Sequence, residues 1–355
     1  MKVKDRQIAF LFFVLFPISK VLVLPSILVN LVDRDLYISA FISFMFNFLI
    51  LALIFICIKR NGNTDFFTLL KDNFGQKVAK ILFFIYALFF MIKPMFLVVE
   101  QRAYVETMLY ETVSSVWNML PFFAVSIYFS LKSFTTFGRA MDFAFFLFLI
   151  TYVIIISLSV PNASFSSLLP VGRTGRDIAK TSLMTTFYFT DTVYMLFFMG
   201  KFENKKRSGL KIMGSYLIMS IMICFFLMNF YGVFQSLASK QLFAITKISK
   251  FSLSLSVTGR IDYFAIFLYL FNAIIAISLP IFLSTELLCQ VFNFKKRVVP
   301  ALITNGAVLI LYLCSYNLVR FAITICVFVM PFIFIPLGFI IPALTVFLKR
   351  KDRNA

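Results

Sequence analysis

The sequence contains no histidine and is poor in acidic residues, cysteine and tryptophan: 15 Asp and Glu, five Cys and one Trp occur in 355 residues. The cysteines show no CxxC spacing, which disfavours zinc sites and disulfide frameworks. No nucleophile and base lie together in one stretch, and no glycine-rich phosphate loop is present. We therefore expect neither an enzyme nor a cofactor or metal site.

Polar stretches long enough to form a soluble domain are also missing. Instead, 61% of the residues are hydrophobic and the mean hydropathy is +0.95, whereas soluble domains contain roughly 45–50% apolar residues. This composition predicts an all-α polytopic membrane protein whose function lies in a single transmembrane domain, residues 1–355.

Ten apolar runs predict about ten transmembrane helices, because each run except the short fourth approaches or exceeds the roughly 20 residues that cross a bilayer. The runs cover about residues 8–31, 36–58, 79–99, 116–131, 141–160, 178–199, 212–235, 261–286, 298–316 and 321–348. An even number of spans places both termini on one side of the membrane.

Lysine and arginine indicate which side that is. The net charge is +19, and 22 of the 34 Lys and Arg residues lie on the side of the termini, against 10 on the opposite side. Cytoplasmic loops carry such an excess, so we predict that both termini are cytoplasmic. The basic balance is then a topology signal, and a nucleic-acid partner is not expected.

Two prolines interrupt the first span. Pro17 and Pro25 bracket Ser19 and Lys20, and each proline removes a helical hydrogen bond and disfavours helical geometry in the residue before it. Because of these two effects of proline, we expect the helix to open over residues 18–24. Open backbone in a membrane is tolerated where it is buried in protein or lines a wet cavity. The alternative is a simple kink with Lys20 reaching a membrane surface.

Spans three and six also carry polar residues. An ionisable residue within a span is by default a functional hypothesis, but Lys93 could instead pair with Glu100 two turns on. In span six, the hydroxyls could bond back to their own helix and Asp191 could pair with a neighbour. The polar residues in the middle of span six are Thr185, Thr186, Tyr188, Thr190, Asp191 and Thr192.

The spans divide into two halves of five, residues 8–160 and 178–348, which run in opposite directions. Each half opens with a helix interrupted by polar residues, a pattern typical of an inverted-repeat transporter. This interpretation depends on topology alone, since no residue-level repeat is visible. In span ten, Pro331, Pro336 and Pro342 predict a strongly kinked helix.

Four stretches, in order along nearly the whole chain, resemble one family. They are Pro25 followed by DLYIS (35–39), SLLPVGRTG (167–175), FTD (189–191) and TGRIDYFAIF (258–267). In these stretches the chain resembles the B, permease-like subunit of spore germinant receptors, within the amino acid/polyamine/organocation transporter superfamily.

The resemblance implies a leucine-transporter-type fold, a 5+5 inverted repeat in which broken helices 1 and 6 enclose a small-molecule germinant, often an amino acid. It also implies receptor A and C subunits as partners and the spore inner membrane as location. Ser19 and Lys20 stand where the family usually has glycine, Tyr37 where it has tryptophan, and Asp191 where it has glutamate. The ligand-binding residues expected on this basis, including a span-three tyrosine that closes the pocket, are Ser19, Lys20, Val21, Tyr86, Tyr188, Thr190 and Asp191.

Lysine at the first break suggests a cation built into the protein. In the superfamily, a sodium ion often joins the first-span break to span eight. We hypothesise that the Lys20 ammonium takes that place and bonds freed carbonyls of span one or oxygens of span eight, or that it gates by losing a proton. The candidates on span eight are Ser278, Ser284, Thr285 and Glu286.

The predicted function is that of a membrane subunit of a nutrient-germinant receptor, which binds a germinant in the middle of the membrane and signals to partner subunits. The alternative is an autonomous secondary transporter of amino acids or amines, which would need the same pocket and fold. A channel has less support, because the rings of acidic residues expected of a filter are absent.

Overall fold

The computed structural model describes residues 2–108, 115–172, 175–251, 261–314 and 319–349, so residues 173–174 and 258–260 of two motifs lie outside the described residues. Over the described ranges the chain is helical without any β-strand, and Val3 and Phe202 form an isolated bridge. The α-helices are α1 Asp5–Ile18, α2 Leu24–Val32, α3 Leu36–Asn61, α4 Phe66–Met108, α5 Ser115–Leu131, α6 Phe134–Ser159, α7 Gly175–Met184, α8 Val193–Phe198, α9 Ser208–Phe234, α10 Ala244–Phe251, α11 Ile261–Phe292, α12 Val298–Cys314, α13 Val319–Phe328, α14 Met330–Ile335 and α15 Ile341–Leu344.

Six helical stretches of the described chain are long and apolar enough to cross a membrane, which makes this an integral membrane protein. They are Leu24–Asn61, Phe66–Thr107, Phe134–Asn162, Ser208–Lys240, Ile266–Phe292 and Met330–Phe347. Two shorter apolar helices, Trp117–Leu131 and Val298–Cys314, accompany them. The number of spans differs from ten because the first and sixth runs are divided into short helices and the fourth and ninth are short. The ten-span arrangement therefore stays a prediction.

The first apolar run is divided where the two prolines predict. Helix α1 ends at Ile18, and α2 begins at Leu24 with Pro25 in its first turn. At the break, the backbone N–H of Lys20 donates to the Pro17 carbonyl at 2.7 Å, one residue short of the regular helical partner. The expectation that the helix opens over residues 18–24 is confirmed.

The sixth run is divided without any proline. Helix α7 ends at Met184, a 3₁₀ turn covers Thr186–Phe189, and α8 begins only at Val193. The hydroxyls of Thr185 and Thr186 donate to backbone carbonyls three or four residues earlier. Such local bonds compete with regular helix formation, which gives a physical reason for an interruption at this threonine-rich stretch.

In the last run, α13 ends before Val329, and α14, a π-helical turn Pro336–Ile340 and α15 then follow one another without a gap. The strong kink expected from the three prolines stays a prediction. Gly338 in the π turn packs directly on the sixth-run break. A Cβ at this glycine would lie 2.6 Å from Thr190 Cγ2, so only glycine permits this approach of the two segments.

The core of the bundle is formed by α11, which packs on α4, α5, α6, α12 and α1, and by α1, which also packs on α9 and α6. The broken segments are thus surrounded by long helices. Both breaks are buried, because every residue from Val21 to Val29 and from Thr185 to Met199 is buried.

Candidate functional site

The two helix breaks meet at a buried ion pair. Lys20 Nζ, on the first break, contacts Asp191 Oδ2, on the second, and donates a hydrogen bond to the Phe16 carbonyl at 2.8 Å. The Lys20 side chain has no solvent exposure. The alternative in which Lys20 reaches a membrane surface is therefore wrong.

A second lysine completes a charged triad of Lys20, Asp191 and Lys93. From α4, Lys93 Nζ lies 3.2 Å from Asp191 Oδ1 and donates to Thr190 Oγ1 at 2.9 Å. It also lies 4.9 Å from the centre of the Tyr194 ring, a favourable place for a cation. Asp191 thus lies between two ammonium groups, which agrees with the alternative that Asp191 pairs with a neighbouring residue. Among the described residues, the carboxylate that pairs with Lys93 is Asp191 and not Glu100.

Glu100 lies on the same helix and is also buried. Its Oε1 accepts a hydrogen bond from the Tyr188 hydroxyl at 2.6 Å, whereas its Oε2 has no partner among the described residues. An unpaired buried carboxylate oxygen is costly in an apolar environment. This atom is therefore a vacant acceptor inside the bundle.

Lys93 and Asp191 of the triad, together with Glu100, border a cavity of about 40 Å³. At roughly 10–15 Å³ for each water molecule, it has room for about three waters. Its walls come from α1, α4, the sixth-run break and α11. The lining residues are Leu15, Phe16, Ser19, Lys93, Pro94, Leu97, Glu100, Phe187, Tyr188, Asp191, Tyr194, Ala276, Leu279 and Pro280. Donors and acceptors of both charges face a small space, so the cavity suits a small polar molecule.

Most of the residues expected to bind a ligand lie at this place. Ser19, Tyr188 and Asp191 line the cavity, and Lys20 and Thr190 lie behind Asp191 and Lys93. Their role in binding stays a prediction.

Two expected residues lie elsewhere. Val21 borders a separate small space beside α6 and α9. Tyr86 lies about two turns before Lys93, where its hydroxyl donates to the Leu337 carbonyl at 2.9 Å. The tyrosines at the cavity are Tyr188 and Tyr194 of the sixth run, and the wall from span three consists of Lys93, Pro94, Leu97 and Glu100.

The span-eight oxygens are not brought to Lys20, whose partners in the described part of the chain are Phe16 and Asp191. Helix α11 is continuous here, so Ser278 and Thr285 donate to their own helix carbonyls, Ile274 and Ile281, at 2.7 and 2.9 Å. Ser284 donates to the Ala87 carbonyl at 2.9 Å. Glu286 lies at the end of the bundle, in ion pairs with Lys201 at 3.0 Å and Arg297 at 3.7 Å. Of the two kinds of partner expected for Lys20, only the first-span carbonyl is present.

The cavity-lining Glu100 and Tyr194 were not among the expected ligand-binding residues. A signal for Glu100 existed, because it follows Lys93 by seven residues and two helical turns place both on one face. No comparable signal marks Tyr194, one of several aromatic residues in an apolar run.

The comparison with known families assigns the chain to a family. A family model described as spore germination protein matches residues 2–319. The chain belongs to this family. No curated protein matches the sequence. Membership in the spore germination family confirms the resemblance seen in the sequence motifs, and the matched range includes both breaks, Lys93 and Glu100.

Proposed function

We propose that this spore germination protein is the membrane subunit of a nutrient-germinant receptor. It binds a small germinant, an amino acid, in the cavity between the two helix breaks and signals to partner subunits of the A and C types. Its role is binding and not catalysis, and it works in the spore inner membrane with both termini in the cytoplasm.

For the fold, we propose ten spans in a leucine-transporter-type arrangement of two inverted repeats, about residues 8–160 and 178–348. The direction of the broken segments supports this arrangement. The beginning of the chain pairs at Val3 with Phe202, just after α8, whereas the loop that precedes α7 meets the end of α2, where the Gly172 N–H donates to Asp35 at 2.9 Å. The first and sixth runs are therefore antiparallel, as an inverted repeat requires.

The observation that carries the proposal is the small cavity that is bordered by both breaks and lined in part by the charged side chains of Lys93, Glu100 and Asp191, inside an apolar bundle. Charged groups within membrane-spanning segments are costly, and they commonly mark ligand or ion sites. Because the cavity walls belong to four separate segments, a bound molecule can favour one arrangement of these segments over another. A ligand shifts such an equilibrium by its difference in affinity for the two arrangements.

Filling the cavity tests this proposal without touching its charges. Ala276→Leu adds three carbon atoms to the cavity wall, so spores that carry this variant should lose most of their response to nutrients. The matched control is Ala179→Leu on α7, an exposed position that faces a wide apolar groove. Germination should be measured in spores with equal membrane levels of each variant. A full response with Ala276→Leu would refute a ligand in this cavity.

An autonomous amino acid or amine transporter is the second candidate, since broken helices also build the substrate sites of transporters. Liposomes that contain this chain alone distinguish the two. Saturable uptake of an amino acid, abolished by Ala276→Leu, would favour the transporter, whereas binding without uptake would favour the receptor subunit.

A further inference from the structure

An apolar groove, separate from the one beside α7, lies between α4 and the last apolar run, and we call it the α4 groove. Its walls include Leu70, Phe74, Val78, Ile81, Leu344 and Leu348. Helix α4 bends at Gly75, where φ is 84°, in the left-handed region that favours glycine. Because wall residues lie on both sides of Gly75, the bend lets two limbs of α4 enclose one space with the last run.

The α4 groove is lined by groups that need no polar partner. Among the described lining residues the one polar residue is Thr345, and its hydroxyl donates to the Pro342 carbonyl at 2.6 Å. Phe66 and Leu348 are buried, whereas Phe74 is exposed, so the groove is open to the surroundings of the bundle. An apolar occupant is therefore expected.

The volume of the groove, about 280 Å³, suits one hydrocarbon chain. At roughly 10–15 Å³ for each water-sized group, it has room for about 19–28 such groups. A methylene group is similar in size to a water molecule, so one long acyl chain fits.

Three lysines group around the bend. Lys71, Lys77 and Lys349 are exposed, and each is the direct neighbour in sequence of a residue that lines the groove. The Asn73 side chain donates to the Lys349 carbonyl at 2.8 Å, which ties the end of the last run to the first limb of α4. Across residues 66–85 and 341–349, Asp72 is the one acidic residue beside four lysines. The mouth of an apolar groove is thus positively charged.

We propose that the α4 groove binds one anionic phospholipid, with an acyl chain along the groove and its phosphate beside Lys77 and Lys349. This site is separate from the cavity at the helix breaks, and its existence does not depend on the receptor function.

A phospholipid matches both parts of this surface, since its phosphate lies a few bonds from an apolar chain. None of the three lysines forms an ion pair with a carboxylate of the described chain. Lysines next to a spanning helix attract anionic lipids in the adjoining leaflet. An apolar helix of another protein would cover the groove but leave these ammonium groups without a counter-charge.

The test detects the acyl chain in the groove by fluorescence quenching. Phe74→Trp, at an exposed position of the groove, is made in the full-length protein with Trp117→Phe, so that its indole is the only one. The protein is reconstituted alone in vesicles of phosphatidylglycerol and phosphatidylcholine with identical chains, one or the other brominated. Bromine quenches an indole only at short range. We expect quenching in the Phe74→Trp variant to show a preference for phosphatidylglycerol of about fivefold or more, the effect of one lysine near an anionic surface.

Two controls separate this site from a general attraction of anionic lipids. Native Trp117, exposed on α5 in the unmodified protein, should show no such preference. In the Phe74→Trp protein, Lys77→Gln with Lys349→Gln should remove the preference. Lys205→Gln with Lys206→Gln makes the same change of charge at exposed lysines away from the groove and should preserve it.

Four results would overturn the inference. They are equal quenching of the Phe74→Trp variant by the two lipids, an equal preference at Trp117, an unchanged preference after Lys77→Gln with Lys349→Gln, and no quenching by either lipid, which would mean that protein fills the groove. The comparison of the two tryptophan positions leaves every lysine in place, so it decides the matter even if the double lysine variant does not fold.

Discussion

Asp191 has an unusual electrostatic position for a residue within an apolar bundle, because a single carboxylate serves two ammonium groups. Removing one partner of a buried ion pair is strongly destabilising, since it leaves a charge without compensation. The two kinds of removal are not equivalent here. Loss of Lys20 leaves a balanced pair of Asp191 and Lys93, whereas loss of the Asp191 charge leaves two buried cations.

This asymmetry predicts the order of stability of three variants. Asp191→Asn should destabilise the protein by roughly 3–5 kcal/mol, and Lys20→Met, which keeps the length of the side chain, should destabilise it less. The double variant Lys20→Met/Asp191→Asn should be no less stable than Asp191→Asn alone, because it also removes the Lys20 ammonium, one of the two cations that Asp191→Asn leaves uncompensated. Thermal unfolding in detergent measures all three, with Lys205→Met at an exposed lysine as the control without effect.

Equal losses for Lys20→Met and Asp191→Asn would show that the triad is not the electrostatic unit described above. The same Lys20→Met variant tests the idea of a built-in cation. If both the nutrient response and its insensitivity to sodium persist unchanged in this variant, Lys20 does not replace a sodium ion.

At the residue scale, the sequence predicts which charged residues lie at the site better than it predicts which polar residues contact them. Lys20 and Asp191 are conspicuous because charged residues are rare within apolar runs. The span-eight hydroxyls looked equally suitable, yet serine and threonine in a continuous helix can satisfy themselves on the preceding turn, as Ser278 and Thr285 do. Sequence alone does not distinguish a hydroxyl bonded to its own helix from one offered to a neighbour.

At the scale of elements, the last apolar run supports the sixth-run break. Its π turn brings Gly338 against Thr190, and Thr190 accepts a hydrogen bond from Lys93. Any side chain at position 338 would push the two segments apart and move Thr190 away from Lys93.

Gly338→Ala should therefore destabilise the protein by about 1–3 kcal/mol, the usual cost of overpacking, and should weaken the nutrient response. Gly306→Ala is the matched control, because no atom of another segment lies within 4 Å of a Cβ there. This control, within α12, should be as stable as the unmodified protein or slightly more stable. Unfolding temperatures and germination rates measure both; identical behaviour of the two variants would contradict a role for this close approach.

Helix breaks differ in how far sequence predicts them. The first break follows from Pro17 and Pro25, since proline has a fixed and local effect on a helix. The sixth-run break has no proline, and its threonines only make an interruption plausible. Gly338 could not be assigned a role from sequence, because its importance depends on a contact between segments almost 150 residues apart.

At the scale of the whole molecule, the segments that are expected on one side of the membrane contact one another at one end of the bundle. Those that are expected on the other side contact one another at the opposite end. At one end, the Val3 N–H donates to the Lys201 carbonyl at 3.0 Å and Lys211 pairs with Asp5 at 2.9 Å. At the other, the Tyr231 hydroxyl donates to Asp33 at 2.9 Å. The alternation of the apolar spans predicted this partition of the loops, while the direction of the bundle in the membrane, predicted from the Lys and Arg count, stays a prediction.

Cysteine labelling determines that direction. In a background with all five native cysteines replaced by serine, Lys205→Cys and Lys240→Cys place single thiols at exposed lysines on opposite ends of the bundle. Because the excess of Lys and Arg predicts a cytoplasmic 201–211 loop, a membrane-impermeant maleimide should label Lys240→Cys in intact cells. It should label Lys205→Cys only after the membrane is permeabilised. The reverse pattern would invert the topology, place both termini outside the cytoplasm and remove the charge argument on which the assignment depends.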